Sequence, residues 1–370
     1  MSVQVYLDAA ATTKPYQEVI DTMVDVMKNH WHNPSSVYAD DSRHIIENVR
    51  KQIAQDINAD PSEIIFTSGA CEANSLAYMV KSYMHIISSR LEHKSLENLN
   101  KYYNATFVNN DHYGFIDCDD LARSLQRKQQ YRCLVSIQSA NSEIGTKQDI
   151  KTISSVVHDY NGIFHTDATQ LFAEQRIDVK ELGIDLMSVS AQKFHGGKGV
   201  GFLYVKDGFK LQPMIHGSQE DSRRGGTYNT AAIAGMGQAL EITRKNNTTD
   251  IVFQLKGRLL GKLRQIDRVM LNGAPVGEKR LNNNINLTID GVDAEQIVTM
   301  CGLYGVYLSK GSACNSHNLE PSSTLKAIGL NNKQAFSTIR ITLDQSNTQE
   351  EIDYAANIIT KLIERIRNDD

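Results

Sequence analysis

The chain has 370 residues, long enough for a large core and for two domains. Hydrophobic residues at 41% and charged residues at 22% place it among ordinary globular proteins rather than disordered chains. The formal net charge of −4 supplies no basic footprint for nucleic acid or an anionic membrane, so neither is an expected partner.

Strand-like and helix-like runs alternate from residue 64 onward. Ile64-Ile65-Phe66-Thr67 reads as a short strand, followed by Ser68-Gly69 and a helix from Cys71 to about Lys81. Residues 84–88, 105–108 and 133–137 are further apolar runs, the last leading into a helix over 149–160. Runs 162–166, 186–190 and 200–205 complete the set. Near-continuous apolar strands between amphipathic helices predict an α/β fold with a mainly parallel sheet covered on both faces. Ligands of such a sheet sit at the carboxyl ends of its strands. Residues 230–265 read as two helices with a break at 246–250. Residues 284–289 then alternate like a half-exposed strand, followed by a helix over 293–301 and strands at 306–308 and 338–342. Thr348-Gln349-Glu350-Glu351 opens a last helix with a capping-box signature. The change of character near residue 250 predicts a large domain, 15–250, and a smaller α+β domain, 1–14 with 251–370.

The start, MSVQVYLDAAATTKP, lacks the basic and apolar regions of a signal peptide, and no run reaches the roughly 18 apolar residues of a membrane span. Five cysteines, odd in number, scattered and without CxxC spacing, argue against a disulfide framework or a zinc site. A cytoplasmic protein with free thiols is expected. Cys133 and Cys301 lie in apolar segments and read as core.

Lys193 stands in Ser190-Ala191-Gln192-Lys193-Phe194-His195-Gly196-Gly197-Lys198-Gly199, at the end of an apolar strand. Asp167 lies about one supersecondary unit earlier, in His165-Thr166-Asp167-Ala168-Thr169-Gln170. A lysine and an acid so placed suit pyridoxal phosphate (PLP): the lysine as Schiff-base partner, the acid against the pyridine nitrogen. Desolvation among glycines and apolar strands would shift the lysine from its usual pKa of about 10.4 toward a nucleophile. Gly196-Gly197-Lys198-Gly199 lacks Walker A spacing, so an ATPase is not indicated. Asp167 also reads as half of a metal pair with His165, or as a helix cap.

Thr67-Ser68-Gly69-Ala70-Cys71-Glu72 reads either as a phosphate-holding helix N-terminus or as a plain turn capped by Ser68. Gly311-Ser312-Ala313-Cys314-Asn315-Ser316 sets Cys314 among small polar residues, as a reactive thiol or a tolerated surface cysteine. Arg340, on an apolar strand, suits a carboxylate ligand or an internal salt bridge equally.

In order along the chain, these motifs resemble the class V, fold-type I PLP enzymes and, more narrowly, cysteine desulfurases of the NifS/IscS type. The resemblance starts at Tyr6-Leu7-Asp8-Ala9-Ala10-Ala11-Thr12-Thr13 and His32-Asn33-Pro34-Ser35-Ser36. It runs through Glu92-His93-Lys94, Asn141-Ser142-Glu143-Ile144-Gly145 and Gly226-Thr227 to Leu319-Glu320-Pro321-Ser322. It implies a large domain with a mainly parallel seven-stranded sheet. It implies Lys193 as the residue carrying PLP, Asp167 at the ring nitrogen, and His93 stacked on the ring and moving protons. Asn141 and Gln170 would address the ring oxygen, with Ala70, Cys71, Ser190 and Gln192 around the phosphate. Thr227 would reach the phosphate from the other subunit of a homodimer. Arg340, with Asn141, would bind the substrate carboxylate, and Cys314 would take sulfur from L-cysteine as a persulfide, leaving alanine. The Gly311-Ser312-Ala313-Cys314 form fits the branch that delivers sulfur to an acceptor protein, with iron–sulfur cluster assembly, tRNA thiolation and a dedicated cofactor pathway all open.

Three positions depart from the family pattern: Gln192 stands where His is usual, Cys71 where Thr is usual, and Asp221-Ser222 where Arg-Gly is common. Another PLP reaction (selenocysteine lysis, β-elimination or transamination) and a weakly active sulfur-relay homologue are the competing expectations.

Overall fold

Short strands, wholly buried at the centre of each large sheet, set the architecture. The computed structural model describes residues 4–81, 83–246, 249–311 and 320–369. Cys314 lies outside the described residues. The chain begins with β1 (Val5–Tyr6), α1 (Gln17–Asn29) and α2 (Asp40–Ile57). It continues with β2 (Ile64–Thr67), α3 (Ala70–Ala77), β3 (His85–Ser89), α4 (Lys94–Tyr102), β4 (Thr106–Val108) and α5 (Cys118–Arg127). Next come β5 (Cys133–Ser136), α6 (Ile150–Asp159), β6 (Ile163–Asp167), α7 (Thr169–Glu174), β7 (Leu186–Ser190) and β8 (Gly201–Val205). Two helices, α8 (Thr230–Asn246) and α9 (Thr249–Leu263), precede β9 (Val269–Leu271), β10 (Asn284–Ile289) and α10 (Ala294–Leu303). The chain closes with β11 (Val306–Tyr307), β12 (Ser309–Lys310), α11 (Ser323–Ala327), α12 (Asn332–Phe336), β13 (Thr338–Thr342) and α13 (Gln349–Asp369).

Seven strands form one sheet in the order β2-β8-β7-β6-β5-β3-β4. The run from β7 to β4 is parallel, and β8 pairs antiparallel with both β7 and β2. Every residue of β5, β6 and β7 is buried, which is why their sequences run apolar instead of alternating. Phe164, Met187 and Phe202 pack on one face with α2, α6 and α8, while Ile163, Leu186 and Leu203 pack on the other with α3 and α4. The α/β sandwich expected from the alternation is therefore the one observed.

A second sheet, β12-β13-β10-β9, is antiparallel, and β1 pairs in parallel with β11 beside it. Val5 and Leu7 join residues of α9, α10 and α13 in a separate core. The capping box is present: Thr348 N donates to Glu351 Oε2 at 3.0 Å, and Glu351 N to Thr348 Oγ1 at 3.2 Å.

The structure changes three expectations. β10 is buried along its whole length, not half-exposed. Its apolar residues Ile285, Leu287 and Ile289 face the second core, while Asn284 and Asn286 each donate to Glu143 O at 3.1 Å. Its polar alternation thus meets protein instead of water. Helix α3 stops at Ala77, short of Lys81. The amphipathic helices α1 and α2, which pack on α8, were not marked out by any motif.

Candidate active site

The carboxyl ends of β6 and β7 lie side by side, with Asp167 paired in register with Ser188. A single 3-10 turn over Ala191–Lys193 follows β7 and brings Lys193 back across the sheet end. Lys193 Nζ donates to Ala10 O and Ala11 O, each at 2.6 Å, so the segment after β1 lies against the lysine. Gln170 Nε2 donates to Ala10 O as well, at 3.2 Å. The Gln192 carbonyl accepts from Thr13 N at 2.9 Å and Thr13 Oγ1 at 3.0 Å, which pins the turn through backbone, whatever the side chain.

Asp167 is 7% exposed, and its carboxylate takes hydrogen bonds from Asn74 Nδ2 at 2.8 Å and Thr169 N at 3.0 Å. Asp167 is not the cap of α7, however: Ala168 holds the N-cap position, and the Thr169 bond reaches back from the first helical residue. His165 does not join Asp167 as a ligand pair: its Nδ1 meets Ser136 Oγ at 2.8 Å and its Nε2 meets Ser188 Oγ at 3.0 Å. Burial pushes its pKa down to about 4, so it stays neutral behind the sheet.

His93 caps α4, with Nδ1 accepting from Ser95 N at 3.2 Å and lying 2.9 Å from Ser95 Oγ. Asn141 is buried and folds its own turn: Oδ1 accepts from Glu143 N at 2.8 Å and Ile144 N at 2.9 Å. Its Nδ2 donates to Leu91 O at 2.9 Å, joining that turn to the loop that carries His93. Among the described residues the other amide hydrogen of Asn141 has no acceptor.

Ala70 and Cys71 open α3, after Gly69 at φ +146°. A Cβ on Gly69 would stand 3.4 Å from Ser190 Oγ, and one on Gly201 would stand 2.4 Å from Val189 O and 2.8 Å from the Gly69 Cα. The first turn of α3, Ser190 and the start of β8 are thus packed backbone to backbone, leaving the α3 N–H groups at the sheet end. Cys71 is exposed there. Thr227 is exposed on the loop before α8. That loop is tied down by Arg224 Nε to Glu72 Oε1 at 2.7 Å and by the buried pair Arg50–Glu220 at 2.8 Å. Asp221 has φ +53° and a side chain 87% exposed, with Arg223 at 3.5 Å, so its carboxylate faces solvent.

Arg340 is buried on β13 and donates from Nη2 to Asp8 Oδ1 at 2.6 Å. The internal salt bridge considered for it is therefore real. Its Nη1 lies 3.4 Å from Ser142 O, beside Asn141, and its buried Nε has no hydrogen-bond partner among the described residues. Glu143, in the same turn, accepts from Ser322 Oγ at 2.6 Å through Oε2, and a Cβ on Gly311 would stand 2.7 Å from its Oε1. The described chain on both sides of residues 312–319 thus meets at Glu143, whose carboxyl burial pushes to a higher pKa. Ser323 Oγ donates to Glu97 Oε2 at 3.1 Å on α4, the helix that His93 caps. Cys133 and Cys301 are buried, as expected of core thiols.

Asn74, Ser95 and the pairing role of Asp8 were not marked by any local pattern. Asn74 and Ser95 meet across α3 and α4, and Asp8 meets Arg340 on β13, contacts that no short spacing reveals.

The Aminotransferase class-V family profile matches residues 5–355. A cysteine desulfurase IscS of Dictyoglomus turgidum is 39% identical, covering 99% of this chain and 96% of that protein. One of Clostridium botulinum is 37% identical over the same shares. A NifS-like protein of Rickettsia africae superposes with a TM-score of 0.89 at 31% identity, covering 99% of this chain and all of that one. A structure described as SspA in complex with cysteine has a TM-score of 0.79 at 31% identity, covering 92% of this chain and 99% of that one.

PLP is the cofactor of this family, and the residues present fit it. An amine and a carboxylate stand at adjacent strand ends, and the helix N-terminus opens beside a glycine whose missing Cβ keeps Ser190 close. The Thr169 hydroxyl oxygen is buried without a hydrogen-bond partner among the described residues, next to Asp167 and Gln170. The chain belongs to the class V aminotransferase family and, within it, to the cysteine desulfurases of the IscS and NifS kind.

Proposed function

We propose that this protein converts L-cysteine to L-alanine and transfers the sulfur to Cys314 as a persulfide for delivery to an acceptor protein. The observation that carries the reading is a convergence. Lys193, Asp167 and His93 lie around one end of the large sheet, while Arg340 and both described flanks of the Cys314 segment meet at the turn 141–145. The bound PLP supplies the electron sink for chemistry at the substrate's Cα. Lys193 holds the cofactor through Nζ and exchanges protons there. Asp167 would hold the ring nitrogen, and His93 would lie against the ring and move a proton. Gln170 and the spare amide hydrogen of Asn141 address the ring oxygen. The N–H groups of Ala70 and Cys71, with Ser190 and Gln192, hold the phosphate. Because those backbone donors do not depend on side chains, Cys71 and Gln192 are compatible with binding.

Arg340 and Asn141 orient the substrate carboxylate, with Arg340 Nε, which has no hydrogen-bond partner among the described residues, as the donor left for it. The Cys314 thiolate attacks the substrate sulfur. An S–S bond forms as the C–S bond breaks, and the carbon takes the electron pair and a proton to become the alanine methyl.

The same reading makes the protein a cytoplasmic homodimer in which Thr227 of a second copy completes the phosphate site. It is supported by Trp31, Val37 and Tyr38, which are 70%, 91% and 75% exposed on the segment leading into α2. It also divides the chain into 15–250 and 1–14 with 251–370, supported by the separate core around β10 and β13. No helix among the described residues is long and apolar enough to cross a membrane.

The deciding experiment gives PLP-loaded protein L-cysteine and a reductant and identifies the products. Alanine with sulfide, abolished by Cys314→Ala, is expected. Pyruvate with sulfide, independent of Cys314, would replace this reading with β-elimination.

A further inference from the structure

Asn74 lies on α3 with none of its surface exposed, and it uses both amide hydrogens. One goes to Asp167 Oδ2 at 2.8 Å, the other to Ser95 Oγ at 3.0 Å. The opposite amide orientation would point Oδ1 at a carboxylate, so the electrostatics choose this one. Its Oδ1 is buried with no hydrogen-bond partner among the described residues, a penalty accepted in order to aim both donors.

Ser95 Oγ, having accepted from Asn74, still has its own hydrogen to give, and His93 Nδ1 is 2.9 Å away. Ser95 N also points at that nitrogen, at 3.2 Å. A backbone N–H only donates, so Nδ1 must present its lone pair. The neutral imidazole then carries its hydrogen on Nε2.

We infer that Asn74 and Ser95 form a directional relay, Asn74 Nδ2–H to Ser95 Oγ–H to His93 Nδ1, that locks His93 as the Nε2–H tautomer and ties it to Asp167. The inference deepens the desulfurase reading, which has His93 moving protons. It makes Nε2 the atom that does so, and Asn74 and Ser95 positioning residues. An ordinary helix cap needs only the Ser95 N–H. The hydroxyl and the buried amide are what the relay adds.

The test is nitrogen-15 NMR of the PLP-loaded protein labelled in its histidine rings, with His93 assigned by the signals lost in His93→Gln. The expected result is an unprotonated Nδ1 and a protonated Nε2. In Ser95→Ala the backbone N–H still faces Nδ1, but the lost hydroxyl donor should move the Nδ1 resonance further from the protonated position, and Ser95→Thr should restore it. Asn74→Ala should move it in the same direction but less. A proton on Nδ1 in the unaltered protein, or ring signals unmoved in Ser95→Ala, would overturn the relay. A second readout separates positioning from bulk structure: kcat for alanine formation should fall in Ser95→Ala while KM for cysteine holds. That fall should be smaller than the roughly 10²-fold of losing a general acid–base outright. The ring signals need no turnover, so the relay and the desulfurase reading fail separately.

Discussion

The two sheets hold their buried charges in opposite ways. Asp167 ends a strand of the seven-stranded sheet, and its hydrogen bonds come from an amide and a backbone N–H, both neutral. Arg340 sits in mid-strand on the four-stranded sheet and is bonded to a carboxylate of its own chain, Asp8, at 2.6 Å. The first group can take a cationic partner without surrendering one. The second has an anion built in, so an incoming carboxylate has to share the guanidinium with Asp8 or displace it. A parallel strand end, where a helix N-terminus and a loop meet, leaves room for a ligand to complete the bonding. A strand interior does not, and its charge must be stabilised within the protein.

The sharpest way to break this contrast is to neutralise the large-sheet charge. Asp167→Asn keeps one acceptor, for Asn74, gives up the bond from Thr169 N, and removes the anion facing the cofactor ring. Alanine formation should fall by roughly 10²–10³-fold in kcat, the scale of losing one fixed charge-stabilising group. An unchanged kcat would mean that the neutral donors alone define the site. On the other sheet, Asp8→Ala leaves a guanidinium buried without its anion and should destabilise the protein by about 3 kcal/mol in denaturant melts. A midpoint that stays put would show that Ser142 O and water suffice.

Glu92 sharpens the comparison from the large-sheet side. It accepts from Ser89 Oγ at 2.5 Å and from Gln138 N, yet burial pushes its carboxyl from 4.5 up to about 8. The folded state therefore holds a proton that the unfolded chain has lost. The stability this confers is complete below about 4.5 and disappears as pH rises through about 8. Glu92→Gln should flatten that slope between about pH 5 and about pH 8, and urea midpoints at the two ends of the range will show it. The smallest effect belongs to the small unit's last helix, where Thr348→Ala removes a cap and should cost about 1 kcal/mol.

Much of the fold was legible because each strand is a short apolar run bounded by turn residues, and the parallel sheet makes those runs continuous. β10 misled because Asn284 and Asn286 look like solvent-facing positions. Their partner is the Glu143 carbonyl, and no local pattern reveals a face covered by another part of the chain. Helices α1 and α2 carry no motif that sets them apart in the sequence. At the site, Lys193 and Asp167 were readable from position alone, as a lysine and an acid at successive strand ends. For Arg340 an internal salt bridge was one of two readings, but its partner was not readable, because Asp8 is 332 residues away.

What the sequence determined by itself was chemical identity in order: which strand end carries the acid, which turn carries the lysine, and which family the ordered motifs belong to. Those depend on local residue types and short spacings. Tertiary structure alone decided which groups share a hydrogen bond. The Asp167–Asn74–Ser95–His93 chain spans β6, α3 and α4, and Glu143 gathers both flanks of the Cys314 segment. Hydrogen bonds need partners within about 3 Å, and that proximity is set by how the layers stack, not by separation along the chain.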